Sequence, residues 1–308
     1  MLKYYLKKLF NIIISLICFV FFFKIFFSEI SNLPSINLSF VNYLSLFIFV
    51  IFILLVNLLA SLNWKIVINE FHIKQSFLKL IYIFFVTNFY KYIPGNIGHY
   101  LGRLYFGKKN SLNYSLGVNS IILETVWFAI AAVIISLFSF NYINEYFFNG
   151  LFFNAPLVLI LLFSLIIVTI TYYILELIKK IKNLKIKNQH IIFKNITFRS
   201  TILILIIYII YFLILSFIYY YILFSIFTIQ IDFIILFSII SFSWLIGFIS
   251  PGAPGGLGVR EIIVLKLLSP LIPISVIGSA SILFRLLCIS GDLLSFILGK
   301  LIKKMNNF

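Results

Sequence analysis

Long apolar runs recur along this chain, separated by short polar or basic segments. They fall at about residues 10–27, 43–62, 116–140, 151–175, 201–228, 233–249 and 274–298. Most approach or exceed the ~20 apolar residues that cross a bilayer. In lipid the backbone must satisfy its own polar groups, so each run predicts a helix. Residues 77–92 form a shorter apolar stretch that ends at a Pro-Gly break. The break has a counterpart: Pro94-Gly95-Asn96-Ile97-Gly98 and Pro254-Gly255-Gly256-Leu257-Gly258 both read P-G-x-[I/L]-G. Pro and Gly interrupt helices, and lipid does not tolerate bare broken backbone. Both breaks are therefore expected to lie against protein at membrane depth, where carriers built from inverted repeats bind cargo.

The positions of Lys and Arg orient the runs. Lys3, Lys7 and Lys8 precede the first run, which reads as a retained anchor helix and not a removed signal peptide. Lys65, Lys74 and Lys79 follow the second run, and Arg103, Lys108 and Lys109 follow the first break. Both flanks of residues 77–92 are thus cytoplasmic, which predicts a re-entrant hairpin turning at Pro94-Gly95. Residues 176–200 carry seven basic residues and mark the strongest cytoplasmic loop, a solvated, lipid-facing segment. Lys300, Lys303 and Lys304 place the C-terminus inside. Residues 233–270 then begin and end outside. Either they form a second, mirror-image hairpin, which is favoured, or 259–275 makes an extra short crossing.

The expected fold is all-α: a polytopic helical membrane protein of about six to eight spanning helices, six on the charge pattern, plus two re-entrant helix-turn elements. Residues 1–308 form one domain with inverted halves at about 43–140 and 201–298. Composition agrees: 63% of residues are hydrophobic and only 10% charged, which excludes a soluble domain of this size. The net charge of +16 would suggest nucleic acid in a soluble protein. Here it marks cytoplasmic loops facing anionic lipid, and no nucleic-acid partner is expected. The expected location is the cell membrane, with both termini cytoplasmic. Cys18 and Cys288 lie in apolar runs as core filler. His72, His99 and His190 are scattered, so neither a metal site nor a cofactor is expected.

Candidate chemistry gathers at the breaks. Gly95, Gly98 and Gly102 permit tight backbone, and a helix starting near Gly98 would aim free N–H groups at the turn. Arg103, one turn on, suits bidentate capture of a phosphate. Lys108 and Lys109 read as headgroup-facing. After the second break, Arg260 and Glu261 open a short helix to about Leu268. At membrane depth such charges each cost roughly 2.5–3.5 kcal/mol on insertion scales, so they face a cavity or a partner. Glu124 lies about eight residues from the cytoplasmic end of its run, roughly 12 Å deep at ~1.5 Å per residue. Arg285 and Asp292 share a face of the last helix, two turns apart. These residues are expected to line a central polar cavity, or to pair with one another, for example Arg285 with Glu124. Trp64, Trp127 and Trp244 are either interfacial or core.

Lys91-Tyr92-Ile93-Pro94-Gly95 with Gly98 and Arg103, the buried Glu124, and Pro254-Gly255-Gly256-Leu257-Gly258-Val259-Arg260-Glu261 resemble the lysylphosphatidylglycerol synthase transmembrane (flippase-like) family. The resemblance covers most of the chain. It implies a domain that moves lipid between leaflets, here as a stand-alone member lacking the synthase domain. Lipid or polyprenol-linked cargo is implied for such members.

The expected function is therefore a flippase for a membrane lipid with an anionic headgroup. The expected substrate-binding residues are Pro94, Gly95, Gly98, Arg103, Glu124, Pro254, Gly255, Gly256, Gly258, Arg260, Glu261, Arg285 and Asp292. The arginines would hold phosphate. The carboxylates would receive a cationic headgroup or carry a coupling proton. No catalytic residue is expected. An integral-membrane glycosyl or aminoacyl transferase stays open as an alternative, although no DxD or nucleotide signature is present. So does an accessory subunit, with a lipid-modifying enzyme as partner, and a homo-oligomer.

Overall fold

The computed structural model describes residues 40–71, 75–92, 97–110, 112–148, 197–250 and 253–306. All regular structure among them is helical. The expected spans at 10–27 and 151–175, Cys18, His72, His190 and most of the basic loop at 176–200 lie outside the described residues.

The first half contains α1 (Phe40–Glu70), α2 (Phe77–Asn88), α3 (Gly98–Lys109), α4 (Tyr114–Ser136) and the short α5 (Phe140–Tyr146). The second contains α6 (Phe198–Tyr221), α7 (Phe233–Ile249), α8 (Val259–Leu268) and α9 (Ile274–Asn306). Four stretches are long and apolar enough to cross a membrane: Asn42–Glu70, Tyr114–Tyr146, Phe198–Ile226 and Ile274–Asn306. The protein is a helical membrane protein. By contrast α3 and α8 span only ~18 Å and ~15 Å at ~1.5 Å per residue, well short of a ~30 Å hydrocarbon core.

Helix starts follow local chemistry. The side chains of Ser76, Asn113, Thr197 and Asp232 accept from backbone N–H groups at the starts of α2, α4, α6 and α7. Asp232 is the cap of α7, with its Oδ1 2.7 Å from the Ile234 nitrogen.

Several helices outrun their apolar stretches because their terminal polar groups find partners. α1 continues past residue 62 through Lys65, whose ammonium lies 4.6 Å from the centroid of the Phe77 ring. It ends at Glu70, which accepts from the Thr197 backbone N–H at 3.0 Å and from the Ser200 hydroxyl. α9 continues to Asn306 with Lys300 over Phe296 and Lys303 over Tyr82. Their long stems cover apolar surface while the charges stay near the end. Beyond α4, a 3₁₀ turn at Leu137–Ser139 leads into α5. A π turn at Ile222–Ile226 closes α6.

The packing of the two halves exchanges in pairs. α2 packs on α9, and α7 packs on α4. α1 packs on α9, and α6 on α4. Each short helix rests on the helices before and after it in both halves: α3 on α2 and α4, α8 on α7 and α9. α1 and α6 pack on each other. Small residues permit the close approaches. A Cβ built on Gly291 of α9 would stand 2.5 Å from Ile53 of α1. One on Gly102 of α3 would stand 2.9 Å from Tyr90. The 3₁₀ turn Phe89–Tyr92 ahead of the first break contacts the 3₁₀ turn Pro254–Gly256 of the second. The two breaks thus bring their chemistry to one place.

Candidate functional site

The first break carries Lys91 and Tyr92 on its 3₁₀ turn, and α3 resumes at Gly98. Pro94 and Gly95 lie outside the described residues. The second break is a 3₁₀ turn at Pro254–Gly256, and Gly258 sits at the start of α8. Gly255, Gly256 and Gly258 have φ of +57°, +73° and +81°, a region that disfavours side chains. Here the glycines are demanded by backbone conformation. Gly102 is demanded instead by its close approach to Tyr90 and Thr87.

Three ion pairs hold the surrounding helices. Arg103 of α3 pairs with Glu124 of α4, both side chains buried. The guanidinium carbon lies 4.0 Å from the Phe84 ring centroid and 5.5 Å from that of Trp64. Trp64 is core, its indole N–H donating to the Ser120 hydroxyl at 3.0 Å. Arg285 of α9 lies 3.8 Å from Glu261 of α8 and donates to the Gly255 carbonyl at 3.2 Å. The Arg285–Glu124 pair considered from sequence does not form. α3 packs directly on α4 and brings Arg103 to Glu124, while α8 packs on α9 and brings Glu261 to Arg285.

Asp292 makes the third pair. Its Oδ2 lies 2.7 Å from Lys91 Nζ and accepts from the Tyr92 hydroxyl at 2.5 Å. Its Oδ1 accepts from the side-chain amides of Asn57 at 2.9 Å and Asn88 at 3.0 Å. The Asn88 amide also donates to Asn57 Oδ1, and that of Asn57 to Ser295 Oγ. Asp292 is 2% exposed, so this shell replaces water almost entirely. Lys91, Tyr92, Asn57 and Asn88 were not among the expected site residues. Asn57 and Asn88 could have been found, since a primary amide inside an apolar run is costly and needs a partner.

Arg260 differs from the other cations. It forms no ion pair among the described residues. Its guanidinium stacks 3.7 Å from the Trp244 ring centroid, and its buried Nε has no hydrogen-bond partner. The stem lies against Gly247 and Gly256: a Cβ on Gly256 would come within 2.5 Å of Arg260 Nε, and one on Gly247 would overlap Cγ.

A cavity of about 100 Å³ opens between the halves. The first half contributes Asn57, Asn88, Lys91, His99, Arg103 and Glu124, and the second Tyr208, Tyr211, Trp244, Gly255 and Arg260. A smaller space of about 20 Å³ lies beyond Arg260, between Glu261, Arg285, Ser281 and Cys288. The larger one has room for several waters or a small anionic group. Among the described residues no three His, Cys, Asp or Glu side chains are grouped to hold a metal ion.

The family model described as the lysylphosphatidylglycerol synthase TM region matches residues 9–290. The chain belongs to this family. The match runs from ahead of α1 into α9 and takes in both breaks, the cavity, and Arg103, Arg260 and Arg285. As a lysylphosphatidylglycerol synthase TM-region protein, it has a membrane lipid-related role. No curated protein matches the chain.

Proposed function

We propose that this protein is a lipid flippase that carries a phospholipid or a polyprenyl-phosphate-linked lipid between the leaflets of the cell membrane. One observation carries the reading: a polar cavity between two similarly ordered halves of a membrane protein, with Arg260 stacked at its wall and in no ion pair among the described residues. A purely structural arginine in an apolar bundle would be matched by an acid or turned to the interface. The cavity suits a headgroup, and the acyl tails would remain in lipid. The paired packing of the halves and the placement of Lys and Arg support an inverted arrangement, with one re-entrant element from each leaflet and both termini cytoplasmic. Arg103–Glu124 and Lys91–Asp292 then act as struts between elements that must shift when access alternates. A lipid-modifying enzyme is a natural partner, supplying the lipid that is carried.

The test is headgroup crossing in liposomes containing the purified protein. Crossing is faster than in empty liposomes, and Arg260→Ala abolishes the acceleration. Equal crossing with the variant would remove Arg260 from the path.

A further inference from the structure

Taking the protein as a lipid carrier, we infer that its cargo headgroup bears a single net negative charge and no cationic amine, and that Arg260 receives it. The balance of charge at the site points to this headgroup. Three cations line the cavity: Lys91, Arg103 and Arg260. Glu124 matches Arg103, and Asp292 matches Lys91. The neighbouring Arg285 is matched by Glu261. Among the described residues one positive charge is left over, on Arg260. The chain has only eight Asp and Glu residues. Of the three described at this site, Glu124 and Asp292 are held closely by a cation, and Glu261 lies 3.8 Å from Arg285 with its Oε2 buried and unpartnered.

Among the described residues a headgroup ammonium would meet one carboxylate oxygen without a hydrogen-bond partner, Glu261 Oε2, and it lies in the smaller space beside the guanidinium groups of Arg260 and Arg285. In the larger cavity the ammonium would have to displace Arg103 or Lys91 from its pair, leaving a second cation unmatched beside it. Two of the aromatic faces that could take it by cation–π contact are also covered, Phe84 by Arg103 and Trp244 by Arg260. A phosphate diester or monoester monoanion, by contrast, completes the balance. The stack on Trp244 and the glycine-flanked stem fix the guanidinium plane in advance, and its fork matches phosphate oxygens bidentately. The family's namesake lipid, whose lysyl group adds cationic amines, is disfavoured by this site.

The experiment is equilibrium binding to the full chain in detergent micelles. The probes are short-chain phosphatidylglycerol, phosphatidylethanolamine, lysyl-phosphatidylglycerol and inorganic phosphate. Phosphatidylglycerol binds at least ~10-fold more tightly than either amine-bearing lipid, a difference of the size expected from one buried charge contact. Arg260→Gln erases that preference, and Arg260→Lys retains part of it. Equal or tighter binding of an amine-bearing lipid would overturn the inference, as would an unchanged ranking in Arg260→Gln. The ranking on the natural protein decides the matter even where the variant does not fold. Inorganic phosphate binding as tightly as phosphatidylglycerol would overturn the lipid as the ligand's source. Selective binding without crossing in liposomes would strike the flippase reading and leave the headgroup assignment standing. Crossing with a preference for lysyl-phosphatidylglycerol would do the reverse.

Discussion

Glu124→Leu removes one member of a buried pair while keeping the volume of the side chain. Arg103 is 4% exposed and Glu124 5%, and their surroundings include Phe84, Trp64 and Tyr100. The variant leaves a guanidinium with an orphaned charge, because the other carboxylates described at the site lie against Lys91 and Arg285. Breaking such a pair costs about 3–5 kcal/mol, whereas replacing both members by apolar groups is often neutral or stabilising. The Phe84 ring lies beneath Arg103 in both proteins and does not change the difference. The single variant should therefore lose about 3–5 kcal/mol. The double variant Arg103→Met with Glu124→Leu should recover most of that. The assay is unfolding by detergent titration in mixed micelles, followed by far-ultraviolet circular dichroism. A double variant no more stable than the single one would refute the reasoning, since the cost would then come from packing and not from stranded charge.

Asp292→Asn should cost about 2 kcal/mol in the same assay, because Lys91 loses its counter-ion and Tyr92 its charged acceptor. Gly291→Val should cost about 1–3 kcal/mol by overpacking the contact of α9 with Ile53, and distance measurements between α1 and α9 should show them pushed apart. Gly256→Ala places a side chain at φ +73° and against Arg260 Nε. It should cost about 1–2 kcal/mol and weaken phosphatidylglycerol binding as well, whereas a purely conformational effect would leave binding intact.

Much of the fold was legible because lipid imposes one simple rule on the backbone. Apolar length alone placed α1, α4, α6, α7 and α9, and the Pro-Gly breaks placed the starts of α3 and α8. The extensions of α1 and α9 were not legible, since they depend on rings and hydroxyls from other helices. The site was legible in part. Charges deep in apolar runs flagged Arg103, Glu124, Arg260, Glu261, Arg285 and Asp292, and these do gather around two adjoining cavities and the Asp292 shell beside them. Their pairing was not. Helices that are apolar all round give depth along the axis but no rotation about it, so nothing in the chain said which acid faces which base. The same ambiguity hid Lys91 and Tyr92 as partners of Asp292. Their Cα atoms lie on a turn whose direction only tertiary packing fixes.

The central claim is that a lipid headgroup enters the cavity between the two breaks. It is tested most directly by photo-crosslinking phosphatidylglycerol with a photoreactive headgroup to the protein in liposomes, then mapping the attached peptides. The account predicts adducts on Lys91, Tyr208 and Trp244, lost when unlabelled phosphatidylglycerol is added in excess. Adducts confined to exposed apolar positions such as Phe47, Ile206 and Leu286, with none at the cavity wall, would contradict it.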